Sequence, residues 1–182
     1  KRMDIEDTAG ETERYERARQ KALEQLENLY QKARDEAGVS SAEIFKMHQM
    51  LLEDKGYNRA ITGMIQSRGI NAEYAVKTTR DIYVKKFESV DDAYMKERAT
   101  DMRDISDRVI AVLMGGDQKA ANLEGPVILL AEDLTPSETI QMDREKILAF
   151  VTVQGSTHSH AAILSRTMGI PALIGVQVPL DD

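Results

Sequence analysis

Tyr15, Ala18, Ala22, Leu26, Leu29 and Ala33 recur at three- and four-residue spacing, with mostly polar residues between them. That pattern predicts one apolar stripe along a long helix ending near Gly38. Ser40-Ser41-Ala42-Glu43 has capping-box spacing and predicts the start of a second helix bearing Ile44, Met47, His48 and Leu51. Asn58 and Asn71 are the expected caps of two more helices, with Gly69 between them. A last helix is expected from Asp91 through Tyr94, Arg98, Met102, Ile105, Val109 and Val112 to Gly115-Gly116. The first part of the chain therefore reads as a helical bundle of antiparallel hairpins.

After the double glycine the pattern changes. All four prolines (126, 136, 171 and 179) lie beyond residue 125, and every tyrosine lies before residue 115. Pro126 to Ala131 is a continuous apolar run, as expected of a strand buried on both faces. Thr135-Pro136-Ser137-Glu138 offers a capping Thr, a Pro at the first helical position and a Glu at the third. Ile147 to Val153 predicts a second strand, Gly155 to His160 a loop, Ala161 to Met168 a helix ended by Gly169, and Pro171 to Val176 a third strand. The expected architecture is a helical subdomain, residues 1–114, joined to a small α/β domain, residues 115–182. Three strands make a thin sheet, so flanking strands are expected outside this chain.

Composition narrows the classes. At 182 residues the chain has ample length for one large domain or two small ones. It contains no Cys, which excludes disulfides and cysteine metal cages. It has no apolar run long enough to span a bilayer, and Lys1-Arg2-Met3-Asp4 is not followed by a signal-peptide core, so a soluble cytoplasmic protein without a membrane partner is expected. The formal charge of −7 disfavours nucleic acid and suits a basic partner.

Two of the three histidines sit in Gly155-Ser156-Thr157-His158-Ser159-His160, a loop between an apolar strand and a helix. In α/β folds ligands collect at the carboxyl ends of strands, and a helix start offers unpaired N–H groups to anions. A histidine there suits a phosphoryl carrier: one imidazole nitrogen attacks phosphorus while a hydrogen bond to the other fixes the tautomer. The product would carry roughly −1.5 to −2 charges, by analogy with other phosphorylated side chains. A helix dipole supplies only about 0.3–1 kcal/mol, or about 2 when partly buried, so direct hydrogen bonds must do most of the stabilising. Ser156, Thr157 and Ser159 provide hydroxyls. The competing reading is a polar loop with incidental histidines.

The stretch Gly155-Ser-Thr-His-Ser-His-Ala-Ala-Ile-Leu-Ser-Arg-Thr-Met-Gly-Ile-Pro-Ala172 resembles the phosphohistidine signature of phosphoenolpyruvate-utilising enzymes. Asp133 to Thr139, Ile44 to Asp54 and Tyr94 to Asp104 resemble segments of one branch, the Enzyme I family of the bacterial sugar phosphotransferase system. The likeness runs along nearly the whole chain in the right order. It implies a phosphoenolpyruvate-protein phosphotransferase in which His160 takes the phosphoryl group on Nε2 and passes it to a histidine of the phosphocarrier protein HPr. Thr139 matches a threonine that hydrogen-bonds the active imidazole, and Arg166 the signature arginine. Ile44, Met50, Leu51, Asp54, Tyr94 and Arg98 match the carrier interface. His48, on the same stripe, is expected to be structural.

His158 stands where the family usually has Thr or Asn, and Ser156 replaces a common second Gly. An H-x-H pair could also bind metal, but His48 is the only other histidine, and no metal or cofactor is expected in this chain. Mg²⁺ is expected for the full-length enzyme, through a C-terminal barrel that also binds phosphoenolpyruvate. Val39, Ser40 and Ser41 stand where relatives are often charged. The chain alone is expected to be monomeric and to exchange phosphate only with HPr, the full-length enzyme to be a homodimer. Three alternatives stand beside this reading: the swivelling domain of a pyruvate phosphate dikinase or phosphoenolpyruvate synthase, a non-enzymatic helical interaction module, and a regulatory paralogue such as the nitrogen-related Enzyme I. The Tyr94–Asp104 segment argues against the first.

Overall fold

The computed structural model describes residues 1–116, 125–143, 145–155 and 160–177, without the side chains of Ala93, His160, Ala161 and Leu164. Five helices come first: α1 (Thr8–Ala37), α2 (Val39–Leu52), α3 (Lys55–Arg68), α4 (Ala72–Glu88) and α5 (Ala93–Leu113). Then β1 (Val127–Ala131), α6 (Pro136–Gln141), β2 (Ile147–Thr152), α7 (His160–Met168) and β3 (Ala172–Ile174) alternate. The helical bundle with a small α/β element is thus the architecture observed. By contacts the chain forms two units, Lys1–Asn28 with Phe45–Gln118, and Leu29–Ile44 with Lys119–Asp182. The tip of the α1–α2 hairpin therefore groups with the sheet, whereas the sequence boundary at residues 114/115 follows the chain.

In the helical unit the predicted α1 positions Tyr15, Ala18, Ala22 and Leu26 are buried, joined by Phe45 and Leu52 of α2, Tyr57, Ile61 and Ile65 of α3, and Met102, Ile105 and Val109 of α5. Polar anchors sit among them, such as Tyr15 Oη, which donates to Asn58 Oδ1 at 2.5 Å. Asn58 is not a cap. Asp54 caps α3 instead, accepting from the Tyr57 amide at 2.7 Å. Asn58 lies one turn inside, and its Nδ2 donates to the carbonyls of Leu52 and Asp54. Both residues are capping types, and α3 simply extends one turn upstream through Lys55-Gly56-Tyr57.

Asn71 does hold the N-cap position of α4, but its side chain makes no cap bond. Its Oδ1 accepts from the Met3 amide at 2.8 Å, and Glu11 of α1 takes the Ala72 amide at 2.7 Å in its place. Gly69 turns the chain here with φ +57°, and a side chain at this position would press on the Ile5 carbonyl 3.1 Å away. α2 opens at Val39, so Ser40 lies inside its first turn rather than at its cap. α5 is capped by Asp92, one residue beyond the expected start, through the Met95 amide at 3.0 Å.

In the other unit the three strands are parallel in the order β1-β2-β3. Each crossover carries one helix, as parallel pairing demands. Ile140, Phe150, Ala162, Met168 and Ile170 are buried between helices and sheet. The opposite face is open among the described residues: Ile128, Leu130 and Leu173 are 63%, 45% and 62% exposed. Among the described residues β1 is therefore not covered on both faces as its apolar run suggests, its positions alternating between half-buried and exposed.

Candidate functional site

The site is framed at the carboxyl edge of the sheet, where the chain leaves β2 for α7. Two bonds lash the segment after β2 to the one after β1. The Gln154 amide donates to the Glu132 carbonyl at 2.8 Å, and Gln154 Nε2 donates to the Glu132 carboxylate at 2.7 Å. Buried Thr152 closes the turn through Oγ1, which donates to the Gln154 carbonyl at 2.8 Å. On the other flank the Val176 amide donates to the Thr152 carbonyl at 3.1 Å. Gly155 then takes φ +103°, a backbone shape that side chains disfavour, and starts the excursion toward α7. Ser156, Thr157, His158 and Ser159 lie outside the described residues.

The chain re-enters a regular element at His160, the first residue of α7. That helix has nine residues and no acidic side chain in its first turn, so its opening amides and the positive end of its dipole are not neutralised from within. Its far end is closed by Gly169 (φ +69°), with the Ile170 amide donating to the Ser165 carbonyl at 2.8 Å. Arg166 is an exposed residue in this last turn. Six residues of helical rise, about 9 Å, separate it from His160 along the axis. The imidazole of His160 lies outside the described side chains.

α6 packs against α7. It begins with the capping box its sequence predicts: Thr135 Oγ1 accepts from the Glu138 amide at 3.2 Å, and the Glu138 carboxylate accepts from the Thr135 amide at 2.9 Å. Thr139 is fully buried, not the solvated first-turn hydroxyl its position allows. Its Oγ1 donates to the Thr135 carbonyl at 2.9 Å.

The expected carrier-docking residues fall on both units. Ile44 is buried in the sheet-containing unit. In the helical unit, Met50 is 71% exposed, Leu51 half-buried, and Asp54 both exposed and the cap of α3. Tyr94 is 53% exposed, and the Arg98 guanidinium lies over its ring, 5.4 Å from the centroid. Such a contact fixes two long side chains as one surface feature.

Sequence reasoning missed a buried charged cluster. His48, with no exposure, sets Nε2 3.1 Å from Asp101 Oδ1 and Nδ1 3.6 Å from Asp104 Oδ2. Arg108 is buried one turn beyond Asp104, and its Nη1 donates to Gln25 Oε1 at 3.0 Å. Burial pushes the Arg108 guanidinium down, against the opposing pull of Asp104. The available signal was the spacing 101, 104 and 108 on α5, interleaved with apolar 102, 105 and 109.

Comparison with known proteins bears on these residues. Residues 1–98 match the family described as PEP-utilising enzyme, N-terminal, and residues 123–181 the PEP-utilising enzyme mobile domain. The chain is 38% identical over 179 residues to the phosphoenolpyruvate-protein phosphotransferase of Priestia megaterium, and 41% over 175 residues to that of Enterococcus faecalis. These alignments take in 98% and 95% of the chain but 31% and 30% of the relatives, so it spans under a third of their length. Among solved structures, an NMR solution structure of Enzyme I superposes with TM-score 0.76 at 35% identity, over 96% of this chain and 72% of that one. The N-terminal domain of a nitrogen Enzyme I gives 0.68 at 27% identity, over 98% and 73%. No described helix is long and apolar enough to cross a membrane.

Proposed function

The chain belongs to the Enzyme I family, matching its N-terminal part, and from that premise we propose that it carries a phosphoryl group on His160 and exchanges it with a histidine of the phosphocarrier HPr. The observation that carries the proposal is the place of His160: first residue of α7, the helix that follows β2 of a parallel sheet, five residues after Gly155 with its positive φ. In the whole enzyme phosphoenolpyruvate is the source of the group, and the relay drives sugar uptake in the cytoplasm.

The step is a transfer between two nitrogens. The Nε2 lone pair of neutral His160 attacks the phosphorus of phospho-HPr, the phosphorus–nitrogen bond on HPr breaks, and its electron pair returns to the carrier imidazole. His160 must then present Nε2 bare and hold its proton on Nδ1. Thr139 suits this tautomer. Its hydroxyl hydrogen is spent on the Thr135 carbonyl, so its oxygen can accept but not donate, and an Nδ1–H is the partner it fits. The amides opening α7 then face the transferred charge. Arg166 is the assigned cation, with an extended arm needed to close the distance along the helix. Met50, Leu51, Asp54, Tyr94 and Arg98 form the docking face in the helical unit, and Ile44, buried in the other unit, is the assigned interface residue with the least surface to offer.

The proposal is tested by incubating the protein with phospho-HPr and measuring intact mass and acid stability. A single phosphoryl adduct that is lost in acid is expected. A folded sample that takes up none would instead favour a helical interaction module.

A further inference from the structure

The transfer chemistry uses neither His48 nor the carboxylates around it, yet this is the densest set of buried ionisable groups described in the helical unit. His48 and Asp101 are 0% and 1% exposed, Asp104 and Arg108 3% and 2%. Both ring nitrogens of His48 face carboxylates carried by one face of α5. The edge-on ring of Phe45, 6.1 Å away between centroids, closes another side. Buried ionic clusters are poor sources of stability, since apolar residues of similar volume often serve as well or better. What they supply is direction: Nε2 bonds Asp101 Oδ1 at 3.1 Å, while Nδ1 lies 3.6 Å from the Asp104 carboxylate with no hydrogen bond between them, so the ring is tied to α5 at one nitrogen and faces a second buried carboxylate with the other.

The elements tied together here are the ones that carry the docking face. Arg98 and Tyr94 lie three and seven residues before Asp101, on the same face of α5. That face is closed over His48 at Asp101 and open to solvent at Tyr94. On α2, Met50 and Leu51 follow His48 by two and three residues, and Asp54 starts the next helix. We infer that His48 is a positioning residue for carrier docking: hydrogen-bonded to Asp101, with the Asp104 carboxylate beside its other nitrogen, it fixes the register of the Met50–Asp54 segment against the Tyr94–Arg98 segment. The inference rests on the docking role assigned to those segments.

The test compares His48→Leu/Asp101→Leu, His48→Gln and the unaltered protein. The double substitution removes the ionic grip and keeps an apolar filling. Its KM for phospho-HPr should rise about tenfold, with kcat within about twofold and melting as cooperative as before. His48→Gln retains a donor toward Asp101 and should hold KM within about threefold. An unchanged KM in a cooperatively melting double variant overturns the inference. If that variant does not melt cooperatively, isosteric Asp101→Asn is read on the same scales: a rise of about threefold in KM supports the inference and no rise overturns it. If the unaltered protein takes up no phosphate, the phosphoryl proposal itself has failed. The grip is then judged by amide exchange in residues 49–52, which should be about tenfold faster in the double variant, and equal protection refutes it.

Discussion

The Thr139 hydroxyl donates to the Thr135 carbonyl at 2.9 Å, and Thr139 is fully buried. This bond decides what Thr139 can offer. Thr139→Val removes the oxygen and keeps the shape, and should lower the phosphoryl exchange rate about tenfold or more, as loss of a group that orients a reactive imidazole does. Thr139→Ser should restore most of the rate. Stopped exchange with labelled phospho-HPr checks both, and a valine variant at full speed would remove Thr139 from the site.

The same helix gives a stability prediction. Thr135→Ala deletes one arm of the capping box and strands the Glu138 amide. A loss of about 1 kcal/mol is expected. Urea unfolding followed by circular dichroism reads it, and a change below about 0.3 kcal/mol would mean that α6 is held by packing alone.

Much of this was legible beforehand. The stripe from Tyr15 to Ala33 is buried at every one of its six positions, because a helical period is imposed by geometry before any partner is chosen. The box at Thr135 and the helix beginning at the histidine motif were legible for the same local reason. Asn58 was not, since Asp54 and Asn58 have equal capping chemistry and only the third dimension shows that Tyr15 claims the second. Asp101, Asp104 and Arg108 resemble solvated charges in sequence; the first two meet buried His48 of α2, and Arg108 meets Gln25 of α1, only in the folded chain. The open face of β1 was hidden likewise: an apolar run specifies which residues seek cover, not how many layers supply it.

Arg14 links α1 to the start of α4 and the end of α5, pairing with Glu73 and donating to the Leu113 carbonyl at 2.8 Å, and it also donates to Glu11 of its own helix at 2.8 Å. Burial pushes the Glu73 carboxyl up, but the Arg14 hydrogen bond, its own amide, Asn71 and the Arg14 charge outweigh it and hold the group below its ordinary value of 4.5. A depressed carboxyl stabilises the fold above its unfolded value, and that contribution is lost as pH falls through the folded value. Glu73→Gln should therefore cost about 1 kcal/mol at neutral pH, discounted for partial exposure, and the gap to the unaltered protein should close as pH falls below 4.5. Urea midpoints at neutral and acidic pH decide this. A gap that widens in acid would reverse the sign.

Met50 and Tyr94 are exposed enough that truncation should leave folding intact. Met50→Ala and Tyr94→Ala should each shift the thermal midpoint little, by about 0.5 kcal/mol or less. Each should raise KM for phospho-HPr about five- to thirtyfold if it is an interface anchor. Unchanged kinetics in both variants would take the docking face away from these helices.

The account turns on which nitrogen accepts phosphorus, and intact-mass measurement of three proteins after exposure to phospho-HPr addresses it most directly. The unaltered chain and His158→Ala should each gain one acid-labile phosphoryl group, and His160→Ala none. Uptake by His160→Ala together with none by His158→Ala would place the reaction two residues earlier and contradict the site described.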